Sequence, residues 1–308
     1  MKIMIIRPGA LGDTIVCIPF LKVLSKNHDI TFVGREPGIY FVKKVIQNVH
    51  NIEIGWWHNI FRDNFQLNKD LSGHYDIVVG FFRVDREIIE KNLLQVFKNA
   101  KVFLYPSFPE QNKGIHIFKY IFQIFEKLGL KIRASDLKMV IREGIFSRLP
   151  LKDAYIVYHI GSGSTKKNFN VKFWINIKQI VAKYFPDRSH IFLFGPAEED
   201  LFYECFDTLK NEGIQPLFLN KAQALENVLC DASLYLGHDS GPTHLSALIG
   251  IPTIALFKAS SMKVWRPVGR YVKVLKAGVE GNMLGLIEQV IKRVWHSNLC
   301  CQCKSTKG

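Results

Sequence analysis

The chain has 308 residues, of which 48% are hydrophobic and 22% charged, as expected for a globular protein large enough for two domains. No apolar run is long enough to span a membrane, and the first one is too short for a signal peptide, which predicts a cytoplasmic protein. The net charge of +14 comes from dispersed basic residues in both halves, which favours an acidic substrate or a membrane surface over nucleic acid.

The first predicted element is a strand at residues 2–7, which leads through a glycine-containing loop into a helical stretch. This loop lacks the Gly-x-Gly of dinucleotide sites, but Gly9 and Gly12 let the backbone approach a ligand closely. Asp13 follows them at the carboxyl end of the strand, where open parallel sheets bind ligands. Its carboxylate either caps the helix or acts as a general base that takes a proton from an acceptor hydroxyl.

Strands and helices alternate through the rest of the first half, as in a doubly wound sheet. The pattern predicts strands at 29–34, 51–54, 75–80 and 100–104, and helices at 41–49 and 116–128. The aromatic stretch 55–65 is either core beneath a loop or a surface for a membrane or an acceptor lipid. Breakers at 144–153 indicate a linker, and we place the domain boundary between residues 147 and 148.

The second half begins with a predicted strand at 154–160 and a loop rich in glycine, serine and lysine. The loop fails the Walker pattern, but its hydroxyl groups, backbone N–H groups and lysines favour an anion site. The alternative is a solvated basic turn. After the next strand, at 190–194, Glu198 and Glu199 either accept a hydrogen bond from a ribose or belong to the first turn of a helix.

The most informative stretch runs from His238 to His244, between a short apolar strand and a short helix. A helix amino terminus at the carboxyl edge of a sheet favours an anion. Asp239 can accept from sugar hydroxyls, and Ser240, Thr243 and His244 can donate to a phosphate, which predicts a diphosphate-sugar site. Alternatively, Asp239 and Ser240 only cap the helix and His244 is a core residue.

The last predicted helix, residues 284–295, is amphipathic, and we expect it to pack back on the amino-terminal domain. Three cysteines follow it, Cys300, Cys301 and Cys303, whose spacing fits none of the common zinc patterns. We therefore predict no metal site there and interpret these cysteines as reactive tail thiols or as residues without a function.

Three groups of residues together resemble the ADP-heptose:lipopolysaccharide heptosyltransferases of glycosyltransferase family 9. They are Gly9-x-x-Gly12-Asp13, His159-x-Gly161-Ser162 with Lys167 close behind, and Asp239-Ser240-Gly241-Pro242-Thr243-His244 before Pro252-Thr253-x-Ala255-Leu256-Phe257 and Trp265-x-Pro267. The sequence departs from the family at Asn168-Phe169-Asn170, where an aromatic residue followed by proline is usual. The resemblance implies an α/β protein of two Rossmann-like domains that face each other across a cleft, the GT-B type of glycosyltransferase fold.

The resemblance also implies roles for individual residues. Residues 1–147 would bind the acceptor and 148–308 the nucleotide-sugar, and transfer would be inverting, without a cofactor or metal. Asp13 would be the general base, beside Gly9 and Gly12. Either Glu198 or Glu199 would bind the ribose of the donor. The other donor contacts would come from the same half of the chain: Ser162, Ser164, Lys167, Asp239, Ser240, Gly241, Thr243 and His244.

The reaction that the resemblance implies is transfer of heptose from ADP-heptose to an anionic lipopolysaccharide inner-core acceptor. A peripheral enzyme on the cytoplasmic face of the inner membrane would carry it out, without a nucleic-acid partner. Three alternatives stay open at this point: a family-9-like transferase for another nucleotide-sugar, a nucleotide-sugar epimerase, and a non-catalytic protein that binds the same ligands.

Overall fold

The computed structural model describes residues 1–63, 73–145, 154–277 and 280–292. The chain divides into two compact units, Met1–Ile145 and Phe146–Gly308. The domain boundary predicted between residues 147 and 148 lies outside the described residues.

The amino-terminal unit contains a five-stranded parallel sheet. Its strands are β1 (Lys2–Ile6), β2 (Asp29–Gly34), β3 (Asn48–Asn51), β4 (Ile77–Phe82) and β5 (Lys101–Pro106). They lie in the order β3-β2-β1-β4-β5, so the chain builds outward from β1 in two directions. The strand order therefore reverses between β1 and β4, and such a switch point is where open parallel sheets bind ligands.

Among the described residues, six α-helices accompany this sheet, and the longer ones bury one apolar face. They are α1 (Leu11–Ile15), α2 (Ile18–Leu24), α3 (Gly38–Val42), α4 (Arg86–Val96), α5 (Ile117–Lys127) and α6 (Ala134–Glu143). The predicted helix at 41–49 and strand at 51–54 are wrong in position. β3 is an edge strand with half-exposed polar residues, so the apolar pattern did not mark it.

The carboxyl-terminal unit contains a six-stranded sheet whose pairings are all parallel. Its strands are β6 (Tyr155–His159), β7 (His190–Phe194), β8 (Gln215–Phe218), β9 (Ala232–His238), β10 (Thr253–Phe257) and β11 (Val272–Lys276). The order β11-β10-β9-β6-β7-β8 reverses between β6 and β9. The loops that follow β6 and β9 therefore meet at the switch point of this second sheet.

The helices of this unit pack around a core that includes Trp174, Tyr158 and Phe192. They are α7 (Val171–Tyr184), α8 (Glu199–Asn211), α9 (Ala222–Cys230), α10 (Gly241–Ile249), α11 (Met262–Trp265) and α12 (Glu280–Val290). None of the described helices has both the length and the apolar character needed to cross a membrane.

The final helix, α12, begins four residues before the predicted residue 284, and residues 293–295 lie outside the described part of the chain. Met283, Ile287 and the following Ile291 are buried in the core of the carboxyl-terminal unit. The Tyr184 hydroxyl of α7 donates to Glu288 of α12 at 3.0 Å. These contacts anchor α12 in its own unit, and its expected packing on the amino-terminal domain stays a prediction.

Candidate functional site

Asp13 lies on α1, directly after the carboxyl end of β1 and hence at the switch point of the first sheet. Its Oδ2 accepts a hydrogen bond from the Ala10 N–H at 2.9 Å, so the carboxylate does cap its own helix. The side chain nevertheless keeps 16% of its surface exposed. A carboxylate oxygen has two lone pairs, so capping and base catalysis are compatible.

Gly9 leaves the space that the Asp13 side chain occupies. A Cβ at Gly9 would lie 2.5 Å from Asp13 Oδ2, closer than real side chains approach one another. Gly12 stands half-buried in the first turn of α1. Gly9 therefore makes room for the carboxylate, and the roles that the resemblance implies for Gly9 and Gly12 stay predictions.

Arg7 is a residue that the sequence reasoning missed. Its guanidinium is 1% exposed, and Nε donates to the Asp13 carbonyl oxygen at 2.7 Å. Nη2 donates to the Ser107 carbonyl at 3.1 Å and lies 3.9 Å from Asp13 Oδ1, while the group stacks over Phe81. Its position in the sequence could have marked it, because Arg7 stands between an apolar run and a glycine loop. A charged residue is rarely buried at such a position without a partner.

The loop after β6 is ordered by its own side chains. Ser162 is buried, and its Oγ lies 2.7 Å from Asn168 Oδ1 and 2.9 Å from the Ser164 carbonyl oxygen. Ser164 is half-buried and precedes the short 3₁₀ turn Thr165–Lys167. The predicted donor residues Ser162 and Ser164 thus shape the loop, and their contact with a donor stays a prediction.

The departure at Asn168-Phe169-Asn170 is accommodated without proline. The Phe169 ring is buried and stacks on Phe173, with 4.2 Å between centroids. The Phe169 N–H donates to His238 Nε2 at 2.9 Å, which ties this loop to the end of β9. Asn170 Oδ1 accepts from the Phe173 N–H at 2.8 Å and caps α7. An asparagine cap therefore starts this helix, where the family usually has proline.

Lys167 and Asp239 join the two loops at the switch point of the second sheet. Lys167 Nζ lies 2.9 Å from Asp239 Oδ2, and His244 Nε2 lies 3.5 Å from Asp239 Oδ1. Burial of the Asp239 carboxyl disfavours its ionised form, but the hydrogen bond and charge of His244 and the charge of Lys167 outweigh it and lower its pKa to about 2. The Lys167 side chain is 32% exposed, so its ammonium can still reach a ligand.

Helix α10 begins at Gly241, with Ser240 at the N-cap position and Pro242 in the first turn. The Ser240 side chain makes no capping hydrogen bond, so the interpretation of Ser240 as a simple cap is wrong. Its Oγ instead lies 3.2 Å from His159 Nδ1 and 3.1 Å from Thr243 Oγ1. The amino-terminal N–H groups of a helix have no intrahelical acceptors, and they favour an anion at this position.

The two neighbouring glutamates have different surroundings. Glu198 is buried, accepts from the Gly195 N–H at 2.9 Å through Oε2, and places the same oxygen 3.6 Å from His159 Nε2. Burial disfavours the Glu198 carboxylate, yet its pKa is lowered because His159 and the Gly195 N–H stabilise the charge. Glu199 is exposed in the first turn of α8. Glu198 is therefore connected to Ser240 through His159, and Glu199 is not part of this connection.

Gly161 is required by the position of Glu198. A Cβ at Gly161 would lie 2.8 Å from Glu198 Cδ and closer still to Cγ, whereas a Cβ at Gly163 in the same loop would meet nothing within 4 Å. We expect Gly161→Ala to lower the free energy of unfolding by about 1–3 kcal/mol through overpacking. Urea denaturation measures it, with Gly163→Ala as the matched control. Equal midpoints for the two variants would contradict the tight fit.

The aromatic stretch 55–65 contributes to the core beneath a loop. Trp57 and Ile60 are buried in the core of the amino-terminal unit, whereas Phe61 is exposed, and a surface for a membrane or an acceptor lipid stays a prediction. Trp56 stacks on Trp57 and lines a cavity of about 390 Å³. Residues 64 and 65 of the stretch lie outside the described part of the chain.

No group of three or more histidine, cysteine or acidic side chains in the described ranges is placed to hold a metal ion. Cys300, Cys301 and Cys303 lie beyond residue 292 and thus outside the described residues.

Comparison with known proteins identifies the relatives of this chain. Residues 145–288 match the sequence model of glycosyltransferase family 9 (heptosyltransferase). Lipooligosaccharide heptosyltransferase 2 of Campylobacter jejuni is 24% identical over 272 residues, which cover 83% of this chain and 81% of the relative. These matches confirm the resemblance inferred from the sequence and the prediction of a glycosyltransferase.

Two solved structures share the fold. The structure of E. coli heptosyltransferase WaaC with ADP matches with a TM-score of 0.70 at 15% identity, covering 95% of this chain and 99% of the other. E. coli ADP-heptose lps heptosyltransferase II matches with a TM-score of 0.61 at 14% identity, covering 94% and 100%. The prediction of a GT-B type α/β fold with two parallel sheets is confirmed.

Proposed function

We propose, from the match of residues 145–288 to the sequence model of glycosyltransferase family 9, that this enzyme transfers heptose from ADP-heptose to a lipopolysaccharide inner-core acceptor with inversion. The observation that carries the proposal is the meeting of Lys167, Asp239 and the amino terminus of α10 at one switch point. This arrangement offers positive charge to a diphosphate and a carboxylate to sugar hydroxyls, which are the two parts of a nucleotide-sugar.

The diphosphate gains negative charge as the glycosidic bond breaks, so groups that stabilise it accelerate the reaction. The Lys167 ammonium has three N–H donors, of which one donates to Asp239 Oδ2 at 2.9 Å and a second to the Asp239 carbonyl oxygen at 3.4 Å. The third can bind a phosphate oxygen, together with the N–H groups at the start of α10. Because these groups supply the positive charge, we propose that the transfer needs no bound metal or other cofactor.

The sugar and the ribose would be held by acidic residues of the same unit. Both oxygens of Asp239 are oriented by neighbouring side chains, Oδ2 by Lys167 and Oδ1 by His244, and each keeps a lone pair for a sugar hydroxyl. We assign the ribose to Glu198, whose Oε1 is not used in the contacts with Gly195 and His159. Glu199 has no role in this assignment.

The acceptor hydroxyl must lose a proton as it attacks, and we assign that proton to Asp13. Its carboxylate is held by the Ala10 N–H and lies beside the buried Arg7 guanidinium, which fixes the loop through the Asp13 carbonyl. A base held in one orientation meets the geometric requirement of general base catalysis. The net charge of +14 supports an anionic glycolipid acceptor and peripheral contact at the cytoplasmic face of the inner membrane.

The proposal is tested by offering the purified protein several donors. We expect ADP-heptose to raise the melting temperature more than UDP- and GDP-sugars, because a ligand at 100 times its Kd stabilises a protein by about 2.7 kcal/mol. Mass spectrometry of a lipopolysaccharide-core acceptor should then show the addition of one heptose. A preference for another nucleotide would contradict ADP-heptose as donor, isomerised sugar without acceptor would indicate an epimerase, and binding without turnover would indicate a non-catalytic protein.

A further inference from the structure

A chain of hydrogen bonds links four polar residues near the start of α10. The Tyr235 hydroxyl lies 3.1 Å from Thr243 Oγ1, which lies 3.1 Å from Ser240 Oγ, which in turn lies 3.2 Å from His159 Nδ1. Tyr235 and Thr243 are fully buried, and His159 is 2% exposed. Thr243 Oγ1 also contacts the carbonyl oxygen of His238. Such an enclosed chain allows its protons to be assigned one by one.

The assignment starts at the carbonyl of His238, which can only accept, so the Thr243 hydroxyl donates to it. Having no second proton, Thr243 must accept from Tyr235 and from Ser240. The Ser240 proton is thereby used as well, so Ser240 accepts from His159, and His159 carries a proton on Nδ1. Ser240 is left with a lone pair and no proton to offer a ligand.

The other nitrogen of His159 faces a carboxylate. His159 Nε2 lies 3.6 Å from Glu198 Oε2, an oxygen that already accepts from the Gly195 N–H. With Nδ1 protonated, a neutral imidazole would turn the lone pair of Nε2 toward this buried anion, which is unfavourable. One further proton, shared by His159 and Glu198, removes the conflict. Because Glu198 Oε2 also accepts from the Gly195 N–H, a carboxylate at Glu198 paired with a protonated His159 is the arrangement that fits these contacts.

We propose that His159 is a positioning residue of the donor site, which holds a proton shared with Glu198 and fixes Ser240 as a hydrogen-bond acceptor for the nucleotide-sugar. The inference rests on the proposed function, because it concerns the same site. Loss of the shared proton would leave the Glu198 charge uncompensated close to a dianionic diphosphate, so the diphosphate should bind best while that proton is present. In a buried site salt screens this repulsion only weakly.

Other titratable groups surround His159, and most of them do not change charge near neutral pH. Burial and the neighbouring His159 charge lower the pKa of His238 to about 3, and burial raises the pKa of Tyr235 well above its usual range. The remaining groups are Lys167, Asp239 and His244, which form their own ion-paired cluster. A pH dependence that disappears when Glu198 is changed therefore belongs to the Glu198–His159 pair, and one that persists has another origin.

The test measures the affinity of the full chain for ADP by isothermal titration calorimetry from pH 6.5 to 9.5. We expect the wild-type affinity to fall at least tenfold as the pH rises, with a slope of at most one decade per pH unit, as for one linked proton.

In Glu198→Gln the amide donates to a neutral His159, which keeps the hydroxyl chain without an ionisable pair. Its ADP affinity should be independent of pH and exceed the wild-type affinity at pH 9.5. In His159→Asn the amide keeps the hydrogen bond to Ser240, and the affinity for ADP should be low at every pH.

The matched control is Glu199→Gln, which should keep the wild-type pH profile. A wild-type affinity independent of pH, or the same slope in Glu198→Gln, would overturn the inference. If the variants do not fold, titrations of the wild-type protein at pH 9 in buffers of different ionisation enthalpy decide the matter, since uptake of a proton with ADP is expected and its absence contradicts the shared proton. Failure of the wild-type protein to bind ADP at any pH would contradict the proposed function itself, and this inference with it.

Discussion

Asp13→Asn is expected to lower kcat by about 10²- to 10⁴-fold, which is the usual contribution of a general base. The amide retains the size of the carboxylate, and its oxygen can still accept from the Ala10 N–H, so the loop should keep its conformation. What the amide cannot do is take the proton of an attacking hydroxyl. The affinity for ADP should therefore stay within about twofold of wild type, which calorimetry measures beside the initial rates of transfer.

The matched control for this variant is Asp29→Asn. Asp29 is exposed at the amino end of β2, on the opposite edge of the same parallel sheet from Asp13. It should leave both kcat and ADP affinity unchanged. If Asp13→Asn kept wild-type turnover, Asp13 would have no part in proton transfer and its carboxylate would serve only as the cap of α1.

The sequence predicted the strands best where they are buried on both faces. β1, β4, β6 and β9 are near-continuous apolar runs, as strands of a covered parallel sheet must be. The edge strands β3 and β11 were misplaced or missed, because neither contains a buried residue and so neither reads as a continuous apolar run. Because β1 and β6 lie at the centre of their sheets, the sequence nevertheless located the loops that follow these two strands correctly.

The candidate site could be predicted only in part. The sequence shows which residue follows which strand, but not which residues far along the chain it contacts. Asp13, Lys167 and Asp239 all follow central strands, Asp13 in the first turn of α1, Lys167 in a 3₁₀ turn and Asp239 directly after β9, where a charged residue is conspicuous in the sequence. Arg7 directly follows β1 and His159 ends β6, and their significance lies in partners 100 and 81 residues away, Ser107 and Ser240. A single sequence carries no signal for such a pairing.

The hydroxyl residues show a second limit of reasoning from the sequence. Ser240 and Thr243 were expected to donate to a phosphate, which is a property of their residue type. In the fold, Thr243 donates to a buried carbonyl, and Ser240 can donate only to Thr243. Because its only proton is donated to Thr243, we expect Ser240 to accept a hydrogen bond from a sugar hydroxyl. This depends on the tertiary contacts of α10 with β6 and β9, which no local pattern encodes.

Lys167→Gln is the second variant for which a large effect is expected. Removing the ammonium deletes a charge-assisted hydrogen bond to the diphosphate, worth about 1.5–3 kcal/mol, so ADP affinity should fall about 10- to 150-fold. The kcat for transfer should fall as well, because the leaving diphosphate carries more charge in the transition state than in the bound donor. Asp239 keeps its contact with His244, so the site should stay folded.

Lys166 supplies the control, because it is the same residue type one position earlier in the same 3₁₀ turn, and it is exposed. Lys166→Gln removes an equal charge from the protein but no contact with Asp239, and it should change ADP affinity by less than about threefold, as expected for a solvated charge. The ratio of the two effects separates a specific phosphate contact from the general attraction of a basic protein for an anion. Similar losses in both variants would mean that Lys167 acts only through net charge, and repeating the titrations at several salt concentrations would then show the same screening for both.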